Sequence, residues 1–329
     1  MRHRARTLAV ALAACSLLLA CGTAGSATGD GARYDEAYVL RPIADDPAPA
    51  LPVTVPSADG REVTVTDADR IVPLSGSLAE VVFALGLGDH VVARDVSTTF
   101  PEAEHLPLVT HAHDVSAEGV LSVGATVVLA QPDTGPPEAL DQIRAAGVPV
   151  VVFDLPTQLE DVSTRIHAIA AALGVPTEGA ALAERTQAAI ADAQRAIPHD
   201  EPPPRVAFLY MRGTAGVYLI AGDGSGADSM IEAAGAIDAG TAMGLDKPFT
   251  PITSEALVEA APDVILMTTT GLESVGGIDG LLQIPGIAQT PAGRERRVIT
   301  QEDGVLYSFG ARTPAALATL IGEIHGRAG

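Results

Sequence analysis

Few side chains in this 329-residue sequence could do chemistry beyond packing. Both cysteines, Cys15 and Cys21, fall within the first 21 residues. The body that follows therefore has no thiolate nucleophile, Cys metal site or disulfide. "PLSGSLAE" places a Gly before Ser77 but is not G-x-S-x-G, and no His–Asp arrangement supports a hydrolase. No His, Asp and Glu set has zinc spacing; His111 and His113 in "HAH" are a pair without further ligands nearby. What remains is donor chemistry. "RVAFLYMR" sets Tyr210 and Arg212 two residues apart. If 205–212 is extended, their side chains share a face, and a cation beside a phenol favours the phenolate. Phenolate is a hard anionic donor suited to Fe(III), and imidazole nitrogen suits it too. His111 and His113 supply imidazoles, on one face if their loop is extended, and Tyr218 in "GVYLIAG" is a weaker alternative to Tyr210. "GDGSGAD" (222–228) follows a strand and opens a helix, but no further dinucleotide-binding half follows and a lone glycine pattern is weak.

The elements that must position these residues are legible from period. "REVTVTDADRIVPL" reads as strands at 61–66 and 70–74, and Ser77 can cap a helix carrying Leu78, Val81, Val82 and Leu85. "VVARD" reads as a further short strand, followed by a loop holding His111, a helix, and a fully apolar strand at 126–130. "PPEALDQIRAAGVPVVVFD" repeats helix then strand. Such alternation predicts an α/β fold with mainly parallel sheets, whose strands are continuous apolar runs because both faces are covered. Residues 157–197 then lack any strand and are helical by period and composition. From "RVAFLY" the alternation resumes, with strands at 205–210, 217–220, 263–267 and 297–300 and helices at 226–234, 253–261, 278–283 and 312–326. The chain thus predicts two α/β lobes separated by a long helical stretch. An internal echo agrees: "VSAEGVLSVGATVVLA" (115–130) aligns with "ITSEALVEAAPDVILM" (252–267), placing Glu118 on Glu255.

The N-terminus carries export chemistry. Arg2, Arg4 and Arg6 precede the apolar run "TLAVALAACSLLLA", too short to span a bilayer but right for a signal-peptide core. It ends in "LLAC", which resembles the lipobox of exported lipoproteins. The expectation is a signal peptide over 1–20, diacylglyceryl modification of Cys21, and a Gly/Ala/Ser/Thr-rich tether over 21–60 holding the chain to the outer face of the cytoplasmic membrane. A formal charge of −21 argues against nucleic acid and against a polybasic membrane contact. With aromatics at 3% and no Trp, the core must be aliphatic.

Together, "RIVPLSGSLAEVVFALGLGDHVVARD", "VSAEGVLSVGATVVLAQ", "ALDQIRAAGVPVVVFD" and "ITSEALVEAAPDVILM" resemble the class III substrate-binding proteins of ABC importers over about residues 69–326. The resemblance implies an N-terminal α/β lobe (61–175), a single interdomain backbone helix (176–200) and a C-terminal α/β lobe (201–329), with no enzymatic step. "LVTHAHDVSAEGVLSV" and "FLYMRGTAGVYLIAG" further resemble the haemin-binding lipoproteins of actinobacterial haem importers. That likeness implies ferric haem b as the carried ligand, with His111 and Tyr210 as axial ligands and Arg212 beside the Tyr oxygen. His113 competes with His111, which is placed first for its register with Ser116-Ala117-Glu118 and its separation from Tyr210. It also implies that the 222–228 loop borders the ligand, offering backbone contact to a haem propionate. Glu118 and Glu255 are implied to dock on Arg residues of the permease. The implied partners are haem, the permease and ATPase subunits, and surface haem-acquisition proteins that hand haem to a monomeric carrier. A ferric-siderophore or cobalamin carrier is the alternative within the same fold.

Overall fold

The computed structural model describes residues 38–111, 114–306 and 308–326, the side chain of His111 excepted. The predicted lipidation site Cys21 and the alternative ligand His113 lie outside the described residues. Packing starts earlier than the sequence implies. Tyr38 Oη donates to Thr319 Oγ1 at 3.2 Å, Leu40 is buried, and Ile43 N donates to Ala84 O at 2.8 Å. Strand β1 (Val53–Pro56) then pairs antiparallel with β2 (Glu62–Val65). Residues 38–60 therefore belong to the folded body rather than to the tether expected there. Their apolar residues are scattered among prolines and aspartates, so no period announces them.

The first lobe holds β3 (Ile71–Pro73), α1 (Gly76–Ala84), β4 (Thr110–His111), β5 (Asp114–Val115), α2 (Ala117–Ser122), β6 (Val127–Ala130), α3 (Pro137–Ala145) and β7 (Val150–Val152). Strands β3, β6 and β7 form a parallel sheet with β6 central. All four β6 residues are buried, as a strand covered on both faces requires. The strand expected at "VVARD" reduces to two isolated bridges, Ile71 with Val91 and Arg94 with Leu108.

Two helices follow, α4 (Asp161–Ala172) and α5 (Pro176–Gln194). At 19 residues α5 spans roughly 28 Å. It lies so close to α4 that a side chain at Gly179 would run into Ala170. The second lobe contains β8 (Arg205–Arg212), β9 (Val217–Ala221), α6 (Ala227–Ala233), β10 (Ile237–Asp238), α7 (Ala239–Ala242), β11 (Phe249–Pro251), α8 (Ser254–Ala260), β12 (Val264–Thr268), α9 (Thr269–Ser274), α10 (Gly277–Leu281), α11 (Pro291–Glu295), β13 (Val298–Gln301) and α12 (Thr313–His325). Its sheet runs β11-β9-β8-β12-β13, with β10 also on β8. Strands β10, β8, β12 and β13 are parallel, and β9 and β11 add an antiparallel edge.

One buried cluster runs from Val127 and Leu129 of the first sheet through Ile166, Ile169 and Leu182 to Phe208, Leu266 and Leu317 of the second lobe. Helices α4, α5 and α12 thus form a shared spine, on which α12 packs along α5. Among the described residues no helix is long and apolar enough to cross a membrane.

Candidate functional site

Strand β8 sorts its side chains by alternation. Val206 and Phe208 join the shared core, whereas Ala207, Leu209 and Met211 join the second lobe's own cluster. Tyr210 continues the first face, half-buried, and packs on the shared core. Arg212 follows at the exposed strand end. Its Nε donates to Tyr210 Oη at 2.6 Å, and its guanidinium carbon lies 5.4 Å from the Tyr210 ring centroid. A guanidinium N–H donated to an oxygen supports negative charge there. Phe249 of β11 packs on the same ring, centroids 5.8 Å apart. The two-residue spacing read from the sequence is therefore realised as a direct bond. Phe249 was not foreseen, because β11 has only three residues and its place beside β9 is set by sheet order. Tyr218 pairs across from Met211 and packs on the second lobe's own cluster, so the two candidate tyrosines lie on opposite faces of the sheet.

In the first lobe the expected loop is a tight hairpin, with Thr110 opposite Val115 and His111 opposite Asp114. Thr110 is buried and holds the hairpin down. Its Oγ1 donates to Asp95 Oδ2 at 2.7 Å and accepts from Val96 N at 2.9 Å. Asp95, also buried, further accepts from Ser97 N at 2.7 Å and from Ser97 Oγ. Ser97 Oγ in turn accepts from Gly76 N at 2.8 Å, at the start of α1. Ser75, Asp95, Ser97, Thr110, Gln131 and Thr134 line a polar hollow of about 180 Å³ at the carboxyl ends of β3 and β6. That is below the ~300 Å³ of small-molecule pockets, so the hollow by itself is too small for a ligand of that size. A cavity of about 650 Å³ lies elsewhere, between Val55–Ala58 and α4, and contains none of the predicted ligands.

Two buried cations stand behind these walls. Arg165 donates to Ser77 Oγ at 2.7 Å and to Asp154 O at 3.3 Å. With its amide turned to satisfy both ends, Gln131 accepts from Arg165 and donates to Ser75 Oγ at 2.9 Å. Burial lowers the Arg165 guanidinium to about 10, which leaves it charged at neutral pH. Arg312, just before α12, donates to Glu80 of α1 through Nε at 2.9 Å, Nη2 at 2.7 Å and its backbone N at 3.2 Å. Both partners are buried, so a charge pair crosses from one lobe to the other. Burial pushes the Glu80 carboxyl above the usual range, while Arg312 pulls it back.

The 222–228 loop differs from expectation. Asp228 is buried, and its carboxylate accepts from Gly224 N at 2.8 Å and from Ser225 Oγ at 3.2 Å. The chain's own carboxylate thus takes the Gly224 N–H that the loop would otherwise offer to a ligand. Glu118 and Glu255 are exposed in the first turns of α2 and α8. Among the described residues no three His, Cys, Asp or Glu side chains converge as a metal cluster.

The sequence profile of the family described as "Periplasmic binding protein" matches residues 71–303. The chain belongs to this family. Among periplasmic binding proteins, the haem-binding protein HmuT is 39% identical, with a TM-score of 0.81 over 88% of this chain and 96% of its own. HmuT has also been solved with single His, Tyr or Arg replacements by Ala. The periplasmic haem-binding protein RhuT from Roseiflexus sp. RS-1 is 45% identical, with a TM-score of 0.74 over 78% of this chain and 98% of its own. The curated relative YvrC of Bacillus subtilis (strain 168), an uncharacterized ABC transporter substrate-binding lipoprotein, is 26% identical over 83% of each chain. The two-lobed α/β architecture expected from the sequence is the one these periplasmic binding proteins share.

Proposed function

We propose that this chain is the haem-binding lipoprotein of an ABC importer, which captures ferric haem between its lobes and delivers it unchanged to the permease. The observation that carries this is the Tyr210–Arg212 pair: a half-buried tyrosine whose phenol oxygen accepts a guanidinium N–H at 2.6 Å and whose ring is packed by Phe249. That oxygen is suited to an axial position on Fe(III). The resemblance to HmuT and RhuT supports haem as the cargo. The His, Tyr and Arg replaced in the HmuT variants also stand at the same intervals as His111, Tyr210 and Arg212. On this assignment His111 and Tyr210 are the ligands, Arg212 steadies the phenolate, and Cys21 carries the lipid that keeps the carrier at the membrane.

The chain order supports a docking role for Glu118 and Glu255. The β4–β5 hairpin runs directly into α2 and Glu118, and β11, whose Phe249 packs on Tyr210, runs directly into α8 and Glu255. Each lobe then offers one carboxylate to a cationic group of the permease.

The test is haemin titration of the soluble form lacking residues 1–21. A saturable Soret band is expected, with Tyr210→Ala abolishing the phenolate charge-transfer signature and His111→Ala, but not His113→Ala, removing the second ligand. Binding of cobalamin or a ferric siderophore in place of haemin would falsify the assignment.

A further inference from the structure

Helices α2 and α8 repeat more than their glutamates. Leu121 stands three residues after Glu118, and Val258 three after Glu255. Residues three apart are neighbours on a helix surface, so each lobe sets an aliphatic side chain beside its carboxylate. Leu121 is 36% exposed and Val258 51%, and they are two of only six exposed large hydrophobics among the described residues. Beneath them Val120 and Leu257 are fully buried, one in each lobe's own core. Both helices are capped alike: Ser116 Oγ accepts from Gly119 N at 3.0 Å, and Thr253 Oγ1 from Ala256 N at 3.1 Å. Each stands immediately before a central, buried strand, β6 or β12. Identities elsewhere in the two helices have diverged, with Gly119 against Ala256 and Ser122 against Glu259. Isolated exposed aliphatics are ordinary. A carboxylate and an exposed aliphatic kept together at the same place in both halves of an internal repeat call for a receptor that presents the matching surface twice.

We propose that Leu121 and Val258 are paired apolar anchors that seat in a two-fold symmetric membrane protein, the permease dimer, beside the groups that take Glu118 and Glu255. The proposal rests on the docking role given above to the glutamates. The partner it specifies offers, twice, a cationic side chain next to an apolar hollow. Charge alone makes a weak hold, because exposed ion pairs are worth little and are screened by salt. Apolar burial is not screened. The glutamates would steer and register the complex, and the anchors would supply the part of the affinity that survives salt.

The test uses the permease with its ATPases in nanodiscs, chosen as the complex whose ATPase rate rises with the haem-loaded wild-type chain. Leu121→Ser and Val258→Ser are expected to leave haemin titration and melting temperature unchanged, because both side chains are exposed and neither is among the groups assigned to haem. Each should weaken permease binding roughly three- to tenfold, with the double variant close to the product. The binding that wild type retains at about 0.5 M salt should vanish in the double variant. If the double variant binds like wild type while Glu118→Gln/Glu255→Gln binds weakly, the anchors are wrong and the docking role stands. If both pairs bind like wild type, the docking role itself falls and the anchors with it. An effect from only one of the two positions overturns the pairing. Sedimentation showing a homodimer that the double variant disrupts would assign the surface to a second copy instead, and also overturns the proposal.

Discussion

Tyr210 and Arg212 show how far a spacing argument reaches. Two residues apart on an extended run means one face, and the 2.6 Å bond between them is that geometry realised. The sequence ranks Tyr210 ahead of Tyr218 but does not show that they lie on opposite faces of the sheet, because that turns on which core each face meets. Arg212→Ala removes a charge-assisted bond, of order 1.5–3 kcal/mol, while Phe249 still holds the ring. Haemin affinity is therefore expected to fall roughly ten- to hundredfold, with little change in melting temperature because Arg212 is exposed. Unchanged affinity would leave the guanidinium no part in holding haem.

The β4–β5 hairpin carries His111 on strands of two residues each. Runs that short have no period, so the sequence reads as a loop, and Asp95, which fixes it, lies 15 residues away from Thr110. Thr110→Val keeps the shape but strands the Asp95 Oδ2 acceptor and the Val96 N donor, a cost of about 1–3 kcal/mol. The expected result is haemin still bound through Tyr210 with a spectrum shifted toward a single strong axial ligand, and recovery of the two-ligand spectrum in Thr110→Ser. A two-ligand spectrum in Thr110→Val would show that the hairpin holds His111 without this bond. Helices were easier to read. The apolar positions of α1 and α12 recur at helical spacing; α12 ends within a residue of the expected 312–326, while α1 starts two residues before the position a Ser77 cap implies, because Ser75 Oγ is the cap that accepts from Leu78 N at 3.3 Å.

The whole molecule is joined by its shared spine and by the Glu80–Arg312 pair, whose partners are 232 residues apart. Glu80→Ala leaves the Arg312 charge buried and unpaired, and a loss of about 3–5 kcal/mol in denaturant unfolding is expected. The pH dependence has a defined sign. Burial raises the Glu80 carboxyl above its ordinary 4.5, so the folded chain holds this proton more tightly than the unfolded chain does. Its contribution is complete below that ordinary value and is lost as pH rises through the raised one. Measured against Glu80→Gln, the wild-type melting temperature should decline across that window; a parallel course for the two would remove Glu80 as the cause.

The alternation of strand and helix, the two lobes and the repeated glutamates were open to the sequence, because each is a pattern among residues close along the chain or repeated within it. The folding of residues 38–60 onto the body, the sheet face that separates Tyr210 from Tyr218, the Phe249 contact, the Asp228 carboxylate closing its own loop and the bond between the lobes were decided in three dimensions. Each depends on which distant segments share a core, and burial, not spacing, selects those partners.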